Sequence, residues 1–204
     1  MSQETAYGRN PHSTGHVITT VRRLMRTAGL DVSLASVARE CGVTRNFLYA
    51  NWKCLSVLHA RALGVELSAA FDEAARDRPS DGTVPGITAH LTEVVRRVRR
   101  HPTTAAVARS SPEAVRAAHG ATAVDGPLMR IAVERISDLL HPLCPHGGVW
   151  GDSRLVSRPW KILWVARPAA LSAETVGDPA REDPLDAGFH DLTLDLLSPW
   201  HPDR

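Results

Sequence analysis

The chain has 204 residues, 43% of them hydrophobic, and a formal net charge of +2. That is enough for one or two domains with a real core and too apolar for a disordered segment; no apolar run approaches the roughly 18 residues of a membrane span, and the start lacks a signal-peptide core, so a cytoplasmic protein is expected. Three cysteines (Cys41, Cys54, Cys144) with no ligand spacing argue against a disulfide framework and a structural zinc site.

Alternation of β-branched residues is nearly absent while alanine, leucine and arginine abound, so the predicted fold class is all-α. Residues 1–16, with Gly, Pro, Asn and Ser, read as a loose arm. A first helix over about 17–28 places Val17, Val21, Leu24, Met25 and Ala28 on one face and stops at Gly29. Ser33 caps a second helix with a buried stripe of Leu34, Val37, Ala38 and Cys41. Gly42 supplies a turn, Val43 tucks inward, and Thr44 caps a third helix over about 45–50. A fourth runs over about 55–76, with Leu58, Phe71 and Ala74 inward, until "RDRPSDG" breaks it.

Thr83 and Pro85 open a helix carrying Ile87, Leu91, Val94 and Val98. It closes with "RRVRRH", whose cations suit the helix dipole. Ser111-Pro112-Glu113 opens a short helix. Leu128, Ile131, Ile136, Leu139 and Leu140 mark another that ends near Pro142, and "HPLCPHGGVWGDSR" reads as a loop. Pro159 opens a helix with Trp160, Leu163 and Trp164 that Pro168 should bend or end. A Pro/Asp-rich loop over 176–184 precedes a last helix with Phe189, Leu192 and Leu196. No internal repeat is present.

Charge divides unevenly along this order. Residues 1–62 carry eight Arg/Lys against three acids, net +5, which leaves −3 for the rest. A small basic unit joined to a larger acidic one points to a polyanionic partner for the first; a solvated basic face is the plain alternative.

Ser33 to Lys53 has the grammar of a helix-turn-helix. Ala38 lets two helices approach, Gly42 takes the left-handed turn, and Val43 and Leu48 close a small core. In such motifs the second helix offers its first residues to the major groove of DNA. The run Gly29-Leu30, Ser33, Val37-Ala38, Cys41-Gly42-Val43-Thr44, Leu48-Tyr49 and Trp52 resembles the DNA-binding domain of the tetracycline-repressor (TetR) family. The likeness covers about 17–62 without gaps, near a quarter of the chain.

The resemblance implies an N-terminal three-helix helix-turn-helix domain (17–62) followed by a helical-bundle domain (63–204) for ligand binding and dimerisation. It implies a homodimeric transcriptional regulator, a repressor, that binds a near-palindromic double-stranded DNA operator and is released by a small-molecule effector. Carried over by position, Ser33 and Thr44 cap the two helices, with Thr44 on a phosphate. Arg45, Asn46 and Phe47 face base edges: a guanine, an adenine and a thymine methyl respectively. Tyr49, Asn51 and Lys53 meet the backbone, which positions without specifying. For Tyr49 and Trp52 core packing is the alternative, preferred for Trp52. The arm, with Arg9, His12 and His16, could reach the minor groove or phosphates.

Two positions depart from the family pattern. Leu55 stands where a phosphate-gripping lysine is usual, and Phe47 is bulkier than the usual small polar residue. The first bears on affinity and the second on base preference.

In residues 63–204 the family pairs its last two helices in the dimer, here near 159–174 and 186–198. Met129, Trp150, Trp160, Trp164 and Phe189 are candidates for an apolar effector pocket, with core or interface packing as the alternative. His141, Cys144 and His146 read as solvated loop residues rather than metal ligands, and Cys41 as a core residue. Neither cofactor nor catalysis is expected: paired carboxylates, a phosphate loop and a nucleophile–base arrangement are all missing. The rival reading, favoured by Leu55, is a helical enzyme or interaction module that keeps the helix-turn-helix as scaffold.

Overall fold

The computed structural model describes residues 14–113, 126–143 and 157–198. Within them every regular element is helical: α1 (Thr14–Ala28), α2 (Leu34–Cys41), α3 (Arg45–Asn51), α4 (Leu55–Asp77), α5 (Val84–Arg100), α6 (Pro102–Ser110), α7 (Pro127–Leu140), α8 (Arg158–Leu171) and α9 (Pro179–Leu197). Short 3-10 turns follow α1, α7 and α8. Among these elements no single helix is long and apolar enough to cross a membrane.

The helix starts follow from local chemistry. Ser33 Oγ accepts from the Ser36 N–H at 3.1 Å, and Ser36 Oγ accepts from the Ser33 N–H at 3.1 Å, a reciprocal cap for α2. Thr44 Oγ1 accepts from the Phe47 N–H at 3.1 Å and starts α3. Between them Gly42, at φ 67°, closes α2 by donating to the Ala38 and Arg39 carbonyls. Thr83 caps α5 in the same way, through the Gly86 N–H.

Two hydrophobic cores result. The first gathers Val17, Val21 and Met25 of α1, Val37, Ala38 and Cys41 of α2, Leu48 and Trp52, and Leu58 and Ala62 of α4. The second gathers Phe71 and Ala74 of α4 with the inner faces of α5, α7, α8 and α9. α4 passes unbroken from one to the other. α6 lies against α1 and the Gly29–Asp31 turn, where the Leu30 N–H donates to Ser110 Oγ at 3.2 Å.

Several expectations need correction. α1 begins at Thr14 rather than near residue 17. α6 was not anticipated at all. α8 continues through Pro168 to Leu171, because that proline is exposed and the carbonyl it leaves unpaired, four residues back at Trp164, lies on the exposed side of the helix. α9 starts at Pro179, not near residue 186, capped by Asp178 Oδ1 on the Ala180 N–H, and it absorbs the exposed Pro184. The helix expected from Ser111 onward falls mostly outside the described residues.

The cationic end of α5 is also more than a dipole partner. Arg99 is fully buried and bonds Asp186 of α9 at 2.5 Å and the Ala169 carbonyl of α8 at 3.2 Å. Arg96 reaches Asp186 at 2.8 Å, and Arg100 reaches Glu182 at 2.7 Å. Buried charges of this kind are tolerated only when paired and hydrogen-bonded.

Gly29 and Gly42 both have positive φ, yet their surroundings differ. A Cβ at Gly29 would sit 2.6 Å from the Ala106 carbonyl oxygen and collide with the Ser110 hydroxyl, whereas one at Gly42 meets nothing within 4 Å. Gly42→Ala is expected to cost about 1 kcal/mol, the left-handed penalty alone. Gly29→Ala should cost clearly more because α6 must move off α1. Urea unfolding of the two variants measures the difference.

Candidate nucleic-acid interface and ligand cavity

α3 is anchored by Leu48, which has no exposed surface, and by Trp52 just beyond its end at 5% exposure. The period of the helix then turns its other residues outward. Thr44, Arg45, Asn46, Asn51 and Lys53 are exposed, and Tyr49 is 54% exposed. Core packing is thereby the outcome for Trp52 and not for Tyr49. Thr44 spends its oxygen lone pair on the Phe47 N–H, which leaves its hydroxyl proton to donate. Asn51 Nδ2 donates back to the Phe47 carbonyl at 2.8 Å, so part of its amide is committed to its own helix.

Two expected members of the face stand apart. Phe47 is half-buried and packs on the N-terminal core, because an apolar ring beside Leu48 gains more from that core than from water. Ser33 is exposed but belongs to the start of α2, its hydroxyl held in the Ser36 cap. Leu55 at the start of α4 likewise rests half-buried on the N-terminal core.

Where the two cores meet lies a cavity of about 330 Å³. Leu30, Leu63 and Val107 close it on the N-terminal side, and residues of α4, α5, α6, α7, α8 and α9, with His101 between α5 and α6, close the rest. Met129 and Phe189 line it; Trp160 and Trp164 do not. They lie four residues apart on one face of α8, while the cavity takes Ile162, Leu163, Ala166 and Ala170 from another. Trp160 is half-buried against the C-terminal core. Trp164 is 44% exposed, with the Arg167 guanidinium 5.5 Å from its ring centre. Trp150, together with Arg9, His12, Cys144 and His146, lies outside the described residues; His16 sits half-buried on α1 and His141 is exposed.

The cavity's polar end escaped the sequence reading. Glu66 of α4 lines it, with its side chain only 9% exposed. Its Oε2 receives Arg22 of α1 at 2.9 Å and His101 Nε2 at 3.3 Å, and its Oε1 meets Arg26 at 3.5 Å. His101 stands at the α5–α6 junction, where its Nδ1 accepts from the Thr103 N–H at 3.2 Å. With Nδ1 accepting from the Thr103 N–H, the ring turns Nε2 toward Glu66. A signal was present: Leu63, Glu66, Leu67 and Ala70 fall at i, i+3, i+4 and i+7, which sets an acid in a buried stripe.

Burial works to raise the Glu66 carboxyl, but the Arg22 hydrogen bond and the surrounding positive charges outweigh it and hold the group below its ordinary value. Burial pushes the His101 imidazole down, with Arg26 and Arg22 adding to that push against the pull of Glu66 and Glu73. No protein-family model matches the chain, nor does any curated protein or solved structure.

Both shifts destabilise the fold in acid. On unfolding the two groups regain ordinary affinity for protons, so the unfolded chain binds more of them. Stability falls as pH drops below the ordinary imidazole value of 6.5, and Glu66 contributes a further loss below its ordinary 4.5. His59, lowered by burial, adds to the first step. The urea midpoint is expected to be lower at pH 5.5 than at pH 7.5, by less in His101→Asn, where an amide oxygen keeps the cap without titrating. Equal midpoints would count against the assignment.

Proposed function

We propose that this chain is a homodimeric transcriptional regulator of the tetracycline-repressor type, with α2 and α3 as its helix-turn-helix, and that it releases DNA on binding a small molecule. The observation that carries the reading is the outward face of α3. Leu48 and Trp52 hold the helix down while Thr44, Arg45, Asn46, Tyr49, Asn51 and Lys53 stand in solvent. Arg45 and Asn46 are the types that read guanine and adenine bidentately, and the hydroxyls and Lys53 suit phosphates. With Phe47 half-buried, base reading falls mainly to those two residues.

The cavity supports the second half of the reading. Its volume is near the lower end of the roughly 300–1,000 Å³ typical of small-molecule sites. Its wall shares Glu66 with α1, so a ligand that disturbs Glu66 also disturbs how the reading unit is held. Trp164 of α8 and Leu192 of α9, at 44% and 52% exposure, are large apolar side chains left for a partner, which supports pairing through these helices. Leu55, half-buried where a cation is usual, favours the alternative of an interaction module that keeps the fold without the DNA contact.

A gel shift with the DNA flanking the protein's own gene separates the two readings. Arg45→Ala and Asn46→Ala are expected to relax discrimination at particular base pairs by about 1–3 kcal/mol each, while Lys53→Ala weakens binding evenly across sequences and lowers its salt dependence. Sequence preference that survives loss of both Arg45 and Asn46 would sink the assignment. Trp164→Glu should shift the protein toward monomer in sedimentation and weaken operator binding with it.

A further inference from the structure

The cavity has a chemical polarity of its own. Nearly all of its wall is hydrocarbon; Glu66, His101, Thr103, Thr104 and Arg167 are the lining residues with polar side chains. Four of these five lie together on α4 and at the α5–α6 junction, around the His101 ring that touches Glu66 on one side and the Thr103 N–H on the other. Arg167 is different. Its guanidinium lies over the ring of the exposed Trp164, which is no part of the wall.

Acceptor capacity remains at Glu66. A carboxylate offers about four lone-pair sites. Oε2 is occupied by Arg22, with His101 Nε2 3.3 Å away, whereas among the described residues Oε1 meets only Arg26, at 3.5 Å, the limit of a hydrogen bond. Charge is not in short supply there, since Arg22 and Arg26 already face the single carboxylate. An ammonium head would find its counter-charge taken, and an anionic head would meet the carboxylate; either would be stripped of water among hydrocarbon walls. One more group is unspent. Thr103 Oγ1 is buried without a hydrogen-bond partner among the described residues, and a turn about χ1 exchanges it with the methyl of the same side chain.

We propose that the cavity binds a neutral, largely hydrocarbon molecule bearing one hydroxyl, which donates to Glu66 Oε1 and accepts from Thr103. The inference rests on reading the cavity as the effector site. A hydroxyl there adds a charge-assisted hydrogen bond in a dry setting, and it pulls on the carboxylate that holds Arg22 and Arg26 of α1. The ligand class and its route to the reading unit therefore share one residue.

Titration calorimetry on the full chain tests this with four probes of one chain length: octan-1-ol, its methyl ether, octanoate and octylammonium. Octan-1-ol is expected to bind at least tenfold tighter than the ether and tighter than either ion. Thr103→Val, which removes a hydroxyl that has no partner among the described residues, should fold normally and weaken octan-1-ol binding several-fold. Ala166→Phe should fill the cavity and abolish binding. Equal affinity for alcohol and ether, tighter binding of either ion, an unchanged octan-1-ol affinity in Thr103→Val, undiminished affinity in folded Ala166→Phe, or no binding by any probe each overturns the proposal. A gel shift run alongside keeps the two readings apart. Alcohol preference without DNA binding leaves the ligand inference standing and removes the regulator; DNA binding without alcohol preference does the reverse.

Discussion

A carboxylate in the middle of an apolar helix stripe has to be neutralised by whatever packs against it, and Glu66 is that group here. It sits on α4 where the two hydrophobic cores meet, and its partners come from both sides: Arg22 and Arg26 from α1, His101 from the α5–α6 junction. Removing one partner of such a nearly buried set leaves the rest uncompensated, which typically costs several kcal/mol. The orientation of α1 on α4 is fixed by this requirement together with the close seat of Gly29 under α6. The α2–α3 unit rides on α1 through the N-terminal core, so its position inherits both constraints.

This arrangement gives the proposed regulator a physical mechanism. A ligand moves a conformational equilibrium only by binding one state better than the other. Glu66 is in the cavity wall and in the α1 anchor at once, so any ligand that prefers a rearranged Glu66 also prefers a rearranged α1. The coupling is reciprocal: DNA that holds α1 in place must weaken that ligand by the same factor. At the other end of the molecule, the ion pairs of Arg96, Arg99 and Arg100 with α9 keep α5 and α9 together. They leave α4 and α6 as the walls of the cavity that connect directly to α1.

Much of the helical skeleton was legible because its punctuation is local. Ser33, Thr44 and Thr83 cap as their side-chain chemistry dictates, and Gly29 and Gly42 adopt the positive φ that ends a helix run. What escaped was set by tertiary contact. α6, "PTTAAVARS", is short and has no strong apolar stripe, and it is held by α1 rather than by its own propensity. Pro168 and Pro184 look like breakers in sequence but lie on exposed faces, where a lost backbone bond is cheap. Trp164 has the composition of a pocket residue, but only the packing of α8 decides that Ile162 and Ala166 face inward instead. Of the proposed contact residues, the outward set on α3 followed from the 3.6-residue period once Leu48 was taken as buried. Glu66 and Thr103 did not, since their significance lies in what surrounds them.

Selection of binding sites from a pool of random duplex DNA by the full-length protein tests the central claim most directly. If α3 lies in the major groove on each half of a symmetric dimer, the enriched sequences form an inverted repeat. Its half-sites are one helical turn, about 34–36 Å, or a multiple of that apart. The motif should collapse when Arg45 is replaced by alanine. A folded protein that leaves the pool random, or that enriches a motif unaffected by changes at Arg45 and Asn46, would contradict the account.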